Sequence, residues 1–292
     1  MDIVLIFNGL GNQMSQYAFY LSKKKSTPNC IPFYYTRSLN GHNGYELGRL
    51  FGINCSKGLQ HDCIQFLYRL LESDTYKCVD KLKNFIGLRK ISEARNYDYD
   101  PKMLLPHPQK GINFFWGGWH SEKNFISIKD EVTSTFHFPS IADAKCLAFA
   151  ERIMNAKESV SLHVRRGDYL TVSPNSYYQL GGVATPVYYK KAIERILSEK
   201  INCSFFVFSD DLEWCKKEFV GINAQFVDCN KGYDSWRDMY LMTLCKNHIN
   251  ANSTFSWWGA WLAKQNGITI CPKEFIHNVN TKDFYPDSWI KI

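Results

Sequence analysis

Residues His163-Val164-Arg165-Arg166-Gly167-Asp168-Tyr169 follow the apolar run Val160-Ser161-Leu162, so two adjacent arginines stand where a buried strand ends. A guanidinium keeps its charge at any working pH, and its planar fork matches two phosphate oxygens at once. An arginine pair at a strand end is therefore suited to a phosphate, whereas in an isolated loop the same pair would only meet solvent. Polar groups stand at comparable places elsewhere: Ser209-Asp210-Asp211 after the run 205–208, Asp228 after 225–227, and Asn252-Ser253-Thr254 after 249–251. The last group opens a helical pattern, where hydroxyls and backbone N–H groups serve either an anion or an ordinary N-cap.

Metal and glycine-loop chemistry fit less well. Asp98-Tyr99-Asp100 has the spacing of carboxylates that share a divalent cation, but Pro101 comes at once and marks a turn. The eight histidines form no H-x-x-x-H pair. Gly9-Leu10-Gly11-Asn12 lacks the third glycine of a dinucleotide fingerprint and the Gly-Lys-Ser/Thr of a P-loop. Without metal ligands, neutralising a phosphate falls to a fixed cation, which Arg165 and Arg166 supply.

The elements that must position these groups are set by periodicity. Ile3-Val4-Leu5-Ile6-Phe7 reads as a buried strand that turns into a helix over 13–24, with Met14, Tyr17, Ala18 and Leu21 on one face. Residues 28–58 carry no assignable pattern, a helix is expected near 59–72, and 113–116 reads as another buried strand. After an amphipathic helix at 142–156, strands at 160–164, 205–208, 225–227, 249–251 and 268–271 alternate with helices. Thr185-Pro186 form the N-cap and first position of a helix to 200, and further helices are expected at 211–219, 234–246 and 254–265. This order implies a parallel sheet covered on both faces, with ligands outside the carboxyl ends of its strands.

A chain of 292 residues predicts two lobes, set here at 1–140 and 141–292. Its 45% hydrophobic and 22% charged content is that of a globular protein. The charge of +7 favours an acidic small molecule or peripheral contact with an anionic membrane, and no Arg-rich helix points to nucleic acid. Lys23-Lys24-Lys25 reads as the solvated end of a helix. The ten cysteines include no C-x-x-C pair; Cys203, Cys245 and Cys271 read as small buried hydrophobes in a reducing compartment. With no signal-peptide pattern after Met1-Asp2 and no 18-residue apolar run, a cytoplasmic location is expected.

Five segments together resemble glycosyltransferase family 11, which includes bacterial α1,2-fucosyltransferases and the animal blood-group H enzymes. They are Gly9-Leu-Gly-Asn-Gln-Met-Ser-Gln-Tyr-Ala18, Gly118-Trp-His-Ser-Glu-Lys-Asn-Phe125, His163 to Tyr169, Val207-Phe-Ser-Asp-Asp-Leu-Glu-Trp214, and Asn250-Ala-Asn-Ser-Thr-Phe-Ser-Trp-Trp-Gly-Ala-Trp-Leu262. Ser15 stands where that family usually has Phe, and His120 where Gln is common.

The resemblance implies an α/β fold of the GT-B type, two Rossmann-like lobes facing across a cleft. The C-terminal lobe would bind GDP-β-L-fucose and the N-terminal lobe would meet the acceptor. It implies inverting transfer of L-fucose to O2 of a terminal galactose in a surface polysaccharide or oligosaccharide, with no cofactor and no obligatory metal. Carried onto this chain, Arg165 contacts the diphosphate, supported by Arg166 and His163. Asn12 approaches the donor; Asp210, Asp238, Asn252, Ser253, Thr254, Phe255 and Ser256 shape the nucleotide pocket; Trp119 and His120 meet the acceptor. The base stays open: Asp168 lies in the right motif but is also a common turn residue, His120 is a weaker candidate, and a dissociative reaction that loses its proton late needs no strong base. Transfer of another nucleotide-linked sugar, and non-catalytic binding of a glycan or nucleotide, are the alternatives.

Overall fold

The computed structural model describes residues 1–35, 43–55, 58–73, 77–171, 179–265 and 267–292, and it divides into two compact units, Met1–Pro139 and Ser140–Ile292. The first unit runs β1 (Asp2–Ile6), α1 (Leu10–Ser26), β2 (Ile31–Tyr34), α2 (Glu46–Phe51), α3 (Gly58–Glu72), α4 (Lys77–Ile86), β3 (Leu88–Ser92), β4 (Ile112–Trp116) and α5 (Lys129–Thr135). Its four strands are all parallel, in the order β2-β1-β4-β3. Ile3, Val4, Leu5 and Ile6 have no exposed surface because β1 is central and covered on both faces. Ile3 and Leu5 pack with Ile64 and Tyr68 of α3, and Val4 packs with Phe19 of α1.

The second unit contains α6 (Ala144–Asn155), β5 (Glu158–Val164), α7 (Gly167–Thr171), α8 (Pro186–Glu199), β6 (Cys203–Ser209), α9 (Leu212–Glu218), β7 (Ala224–Phe226), α10 (Trp236–Leu244), β8 (Asn247–Ile249), α11 (Thr254–Trp261), β9 (Thr269–Cys271) and β10 (Ile290–Lys291). Six parallel strands lie in the order β10-β9-β8-β5-β6-β7. Val160, Leu162 and Val164 point to a core shared with Tyr188, Tyr189 and Ile193 of α8. Phe206 and Phe208 point to the other face, against Phe149 of α6 and Leu241 of α10. Each such side chain contributes about 1.5–3 kcal/mol by leaving water.

Two expectations change. Two strands and a helix, β2, β3 and α2, stand where no element or none this regular was expected. Lys23 is not at a solvated helix end: its side chain is fully buried and paired with Asp2 at 3.0 Å. Asp100 caps a short 3-10 turn, accepting the Lys102 N–H at 2.9 Å, as its turn reading requires. The nine described cysteines are free thiols, and no described helix is long and apolar enough to cross a membrane.

Candidate active site

The parallel register pairs Val164 of β5 with Ser209 of β6, so Arg165-Arg166 and Asp210-Asp211 leave the sheet side by side. Asp210 accepts the backbone N–H of Arg166 at 2.9 Å and of Gly167 at 3.1 Å. Its Oδ2 also lies 3.2 Å from Arg165 Nε, and that same Nε donates to Asp168 Oδ1 at 2.9 Å. Two carboxylates therefore hold Arg165 by its inner nitrogen. Its forked end, Nη1 and Nη2, carries no partner among the described residues. The guanidinium lies 5.8 Å from the Tyr169 ring centre, and the Tyr169 hydroxyl donates to the Asn252 carbonyl at 3.0 Å, tying α7 to the turn before α11. Burial opposes the charge of Arg165, but the Asp168 hydrogen bond and Asp210 outweigh it and raise its pKa.

Arg166 is used differently. Its Nε donates to Asp211 Oδ2 at 3.1 Å, and its guanidinium lies over the Trp214 ring at 4.1 Å. Asp211 is itself the N-cap of α9, accepting the Trp214 N–H at 3.1 Å. That N–H and then Arg166 hold the Asp211 carboxyl below its ordinary range. Both arginines are thus held through Nε: Arg166 by the one carboxylate that also caps α9, with its guanidinium stacked on Trp214, and Arg165 by two carboxylates.

Gly167 has no room for a side chain, since a Cβ there would come 2.9 Å from Asp210 Oδ2. Gly167→Ala must displace Asp210 and with it Arg165, so turnover should fall by about ten- to a hundredfold at nearly unchanged melting temperature. Unaltered kinetics in the folded variant would show that Asp210 does not place Arg165.

The remaining C-terminal residues separate into those at this edge and those spent on structure. His163 lies near the end of β5 beside Phe255, with ring centres 5.9 Å apart, and its Nδ1 is buried without a hydrogen-bond partner among the described residues. Burial, then the charge of Arg165, pushes its pKa down to about 3, so the ring is neutral. Asn252 donates both amide protons to carbonyls, of Leu180 at 2.8 Å and Phe275 at 3.0 Å, and so braces two loops. Ser253 caps α11 by accepting the Phe255 N–H at 3.3 Å, Thr254 is buried in its first turn, and Ser256 bonds back to the Ser253 carbonyl at 3.3 Å. Asp238 lies in the first turn of α10, accepting from Asn230 at 2.7 Å, and burial pushes its carboxyl up to about 7.

In the first unit, Asn12 lies in the first turn of α1, partly exposed. Trp119 does not offer its ring to a sugar: it is 2% exposed and stacks on Phe19 at 4.1 Å, inside the core. His120 is equally buried, against Tyr97 at 5.0 Å, and burial pushes it down to about 3. The cause is local backbone, because Trp119 has φ +53 and turns its side chain under the sheet. Tyr169 and Trp214, the aromatic supports of the two arginines, were inside recognised segments but carry no signal of that role beyond their spacing.

A family model described as glycosyl transferase family 11 matches residues 91–292. The chain belongs to glycosyl transferase family 11. This family member is 33% identical over 302 residues to an alpha-1,2-colitosyltransferase of Escherichia coli, covering 100% of this chain and 99% of that protein. It is 29% identical to galactoside alpha-(1,2)-fucosyltransferase 1 of Ateles belzebuth over 97% of this chain and 72% of the relative. In fold it resembles the crystal structure of fucosyltransferase NodZ from Bradyrhizobium, with a TM-score of 0.53 at 14% identity over 90% of this chain and 93% of that one. The two parallel α/β units of this family 11 glycosyltransferase are thus of the GT-B type.

Proposed function

We propose that this protein is an inverting α1,2-fucosyltransferase that moves L-fucose from GDP-β-L-fucose to O2 of a terminal galactose, using Arg165 rather than a metal to stabilise the departing diphosphate. The observation that carries the reading is the open fork of Arg165, held through Nε alone by Asp168 and Asp210. As the bond from the sugar C1 to the phosphate oxygen breaks, negative charge grows on the β-phosphate. A guanidinium fixed beforehand stabilises that state more than the bound donor. In this reading Arg166 keeps the loop stacked on Trp214, Asp168 is the counter-ion that aims Arg165, and His163 and Asp238 border the nucleotide.

The relative named an alpha-1,2-colitosyltransferase, alike along the whole chain, favours one second reading: colitose as the transferred sugar. Colitose is L-fucose without its C3 hydroxyl, so the two donors differ by one hydrogen-bonding group. A site that bonds that hydroxyl rejects the deoxy sugar by about four to five orders of magnitude, whereas an apolar site separates the two only about a hundredfold. The assay supplies GDP-fucose or GDP-colitose to a panel of β-galactosides, with and without EDTA, and tracks product mass. Fucosyl transfer at the same rate in EDTA is the expected result. Colitosyl transfer alone replaces the donor assignment, loss of rate in EDTA removes the metal-free mechanism, and GDP binding without turnover on any galactoside sinks the reading.

A further inference from the structure

Just before the arginine edge, the second unit's sheet carries a block of polar side chains among apolar neighbours. Ser161 of β5 lies beside His248 of β8 in the parallel register, and His163 and Asn250 stand two residues farther along each chain. Asn250 continues the pairing of β8, donating its N–H to the Ile270 carbonyl at 2.9 Å. Side chains two apart on a strand share a face, and Val160, Leu162, Val164 and Ile249 occupy the opposite one, in the core that α8 covers. The four polar residues thus form a two-by-two block. It is bordered by Phe206 and Phe208 of β6, which pair with Ser161 and His163 and share a core with Leu241 and Met242 of α10. All four are buried, from 1% exposure for Ser161 and Asn250 to 6% for His163.

Protein groups do not satisfy this block. Six atoms, Ser161 Oγ, His163 Nδ1, both ring nitrogens of His248, and Oδ1 and Nδ2 of Asn250, are buried without a hydrogen-bond partner among the described residues. The nearby backbone is already used, since the Asn250 carbonyl accepts the Tyr188 hydroxyl at 2.6 Å. Left bare, so many polar atoms would cost about as much as the whole net stability of a domain. The block is also neutral. Burial, with the charge of Arg165 added, pushes His163 down to about 3, and burial alone pushes His248 down to about 4. Its four residues include no carboxylate or thiolate to offset a cation, whereas hydroxyl, amide and neutral imidazole each both donate and accept, as water does.

We propose that Ser161, His163, His248 and Asn250 hold an internal chain of water molecules, and that Asn250 acts through it as a positioning residue for His163. About two to three waters, each making about three hydrogen bonds, satisfy the block and one another. The consequence lies in the imidazole, because the bond made by one ring nitrogen decides whether the other carries the proton. Nδ1 of His163 is enclosed with the block, while Nε2 is not among the enclosed atoms. A water that donates to Nδ1 keeps the proton on Nε2. His163 then offers a donor two residues before Arg165, the polarity that suits an anion, whereas a bare Nε2 would turn a lone pair toward it. The service to an anion rests on the diphosphate reading above; the water chain does not.

A high-resolution crystal structure of the full chain and proton–nitrogen NMR of histidine-labelled protein test the proposal, with Asn250→Leu as an apolar variant of similar size. We expect ordered waters within hydrogen-bond distance of all four side chains, and His163 as one tautomer protonated at Nε2. In Asn250→Leu the water on Nδ1 should be lost, the His163 signals should show both tautomers, and GDP affinity should fall about tenfold. A block without water, a metal ion in its place, a wild-type proton on Nδ1, or an unchanged tautomer in folded Asn250→Leu overturns the proposal. If Asn250→Leu does not fold, the wild-type density and spectrum decide alone. Failure of the wild-type protein to bind GDP overturns the diphosphate reading only, since density and spectrum decide the water chain without it.

Discussion

Arg165→Ala should lower kcat by about two to three orders of magnitude while the protein stays folded and still binds GDP. The magnitude is that of losing one preorganised donor to an oxyanion, and the geometry explains why no neighbour replaces it. Arg166, the adjacent cation, is tied to Asp211 at 3.1 Å and stacked on Trp214, so moving it to the vacated position would break both that ion pair and the stacking. Removing Arg165 also leaves Asp168 and Asp210 facing the site without their shared cation, and their charge repels the diphosphate. Arg165→Lys should recover little, because an ammonium cannot be held by two carboxylates at one nitrogen while presenting two more nitrogens to phosphate. Steady-state kinetics with a circular-dichroism melt decides the matter. Near-normal turnover in a folded Arg165→Ala protein would remove Arg165 from the chemistry.

The kind of contact each residue makes determines how much of the fold and the site was legible in the sequence. The strand ends carrying Arg165 and Asp210 were readable because β5 and β6 are largely apolar runs whose following residues lie at the carboxyl edge, whereas the strand before Asn252, expected at 249–251, is the short and mostly polar β8, Asn247-His248-Ile249. That Asp210 grips Arg165 was not readable, since it depends on the pairing of Val164 with Ser209 across 45 positions of chain. Strand β3 hid for a related reason: as an edge strand it carries Arg89 and Lys90, charges that keep unpaired edges from associating but also erase the apolar pattern. Trp119 misled in the opposite sense. A tryptophan in one of the five family-like segments suggests a sugar platform, yet its φ of +53 sends the ring onto Phe19.

Lys23→Met should destabilise the fold by about 3–5 kcal/mol, because it leaves the Asp2 carboxylate buried without its counter-charge. The three-lysine run suggested solvent, but helical geometry separates its members. Lys23 has no exposed side-chain surface, whereas Lys25 is 58% exposed and reaches Glu131. Lys23 Nζ donates to the carbonyls of Met103 at 3.0 Å and Leu105 at 2.7 Å, sits 4.0 Å from the Phe115 ring centre, and meets Asp2 at 3.0 Å. Asp2 also accepts from Asn113 at 2.9 Å, so one ion pair binds α1 to β1, β4 and the loop before β4. Burial raises the Asp2 pKa, but the Asn113 and Lys23 hydrogen bonds and the charge of Lys23 outweigh it and leave the value below 3.8. A depressed folded pKa gives stability that is full above the unfolded value and lost as pH falls through the folded one. Urea melts should therefore show the pair's contribution intact at neutral pH and fading below about pH 4. Replacing both partners, Asp2→Asn with Lys23→Met, should recover much of the loss, since two neutral side chains leave no bare charge in the core. A Lys23→Met protein as stable as wild type, with an unchanged acid limb, would mean that the buried pair does not hold α1 to the sheet.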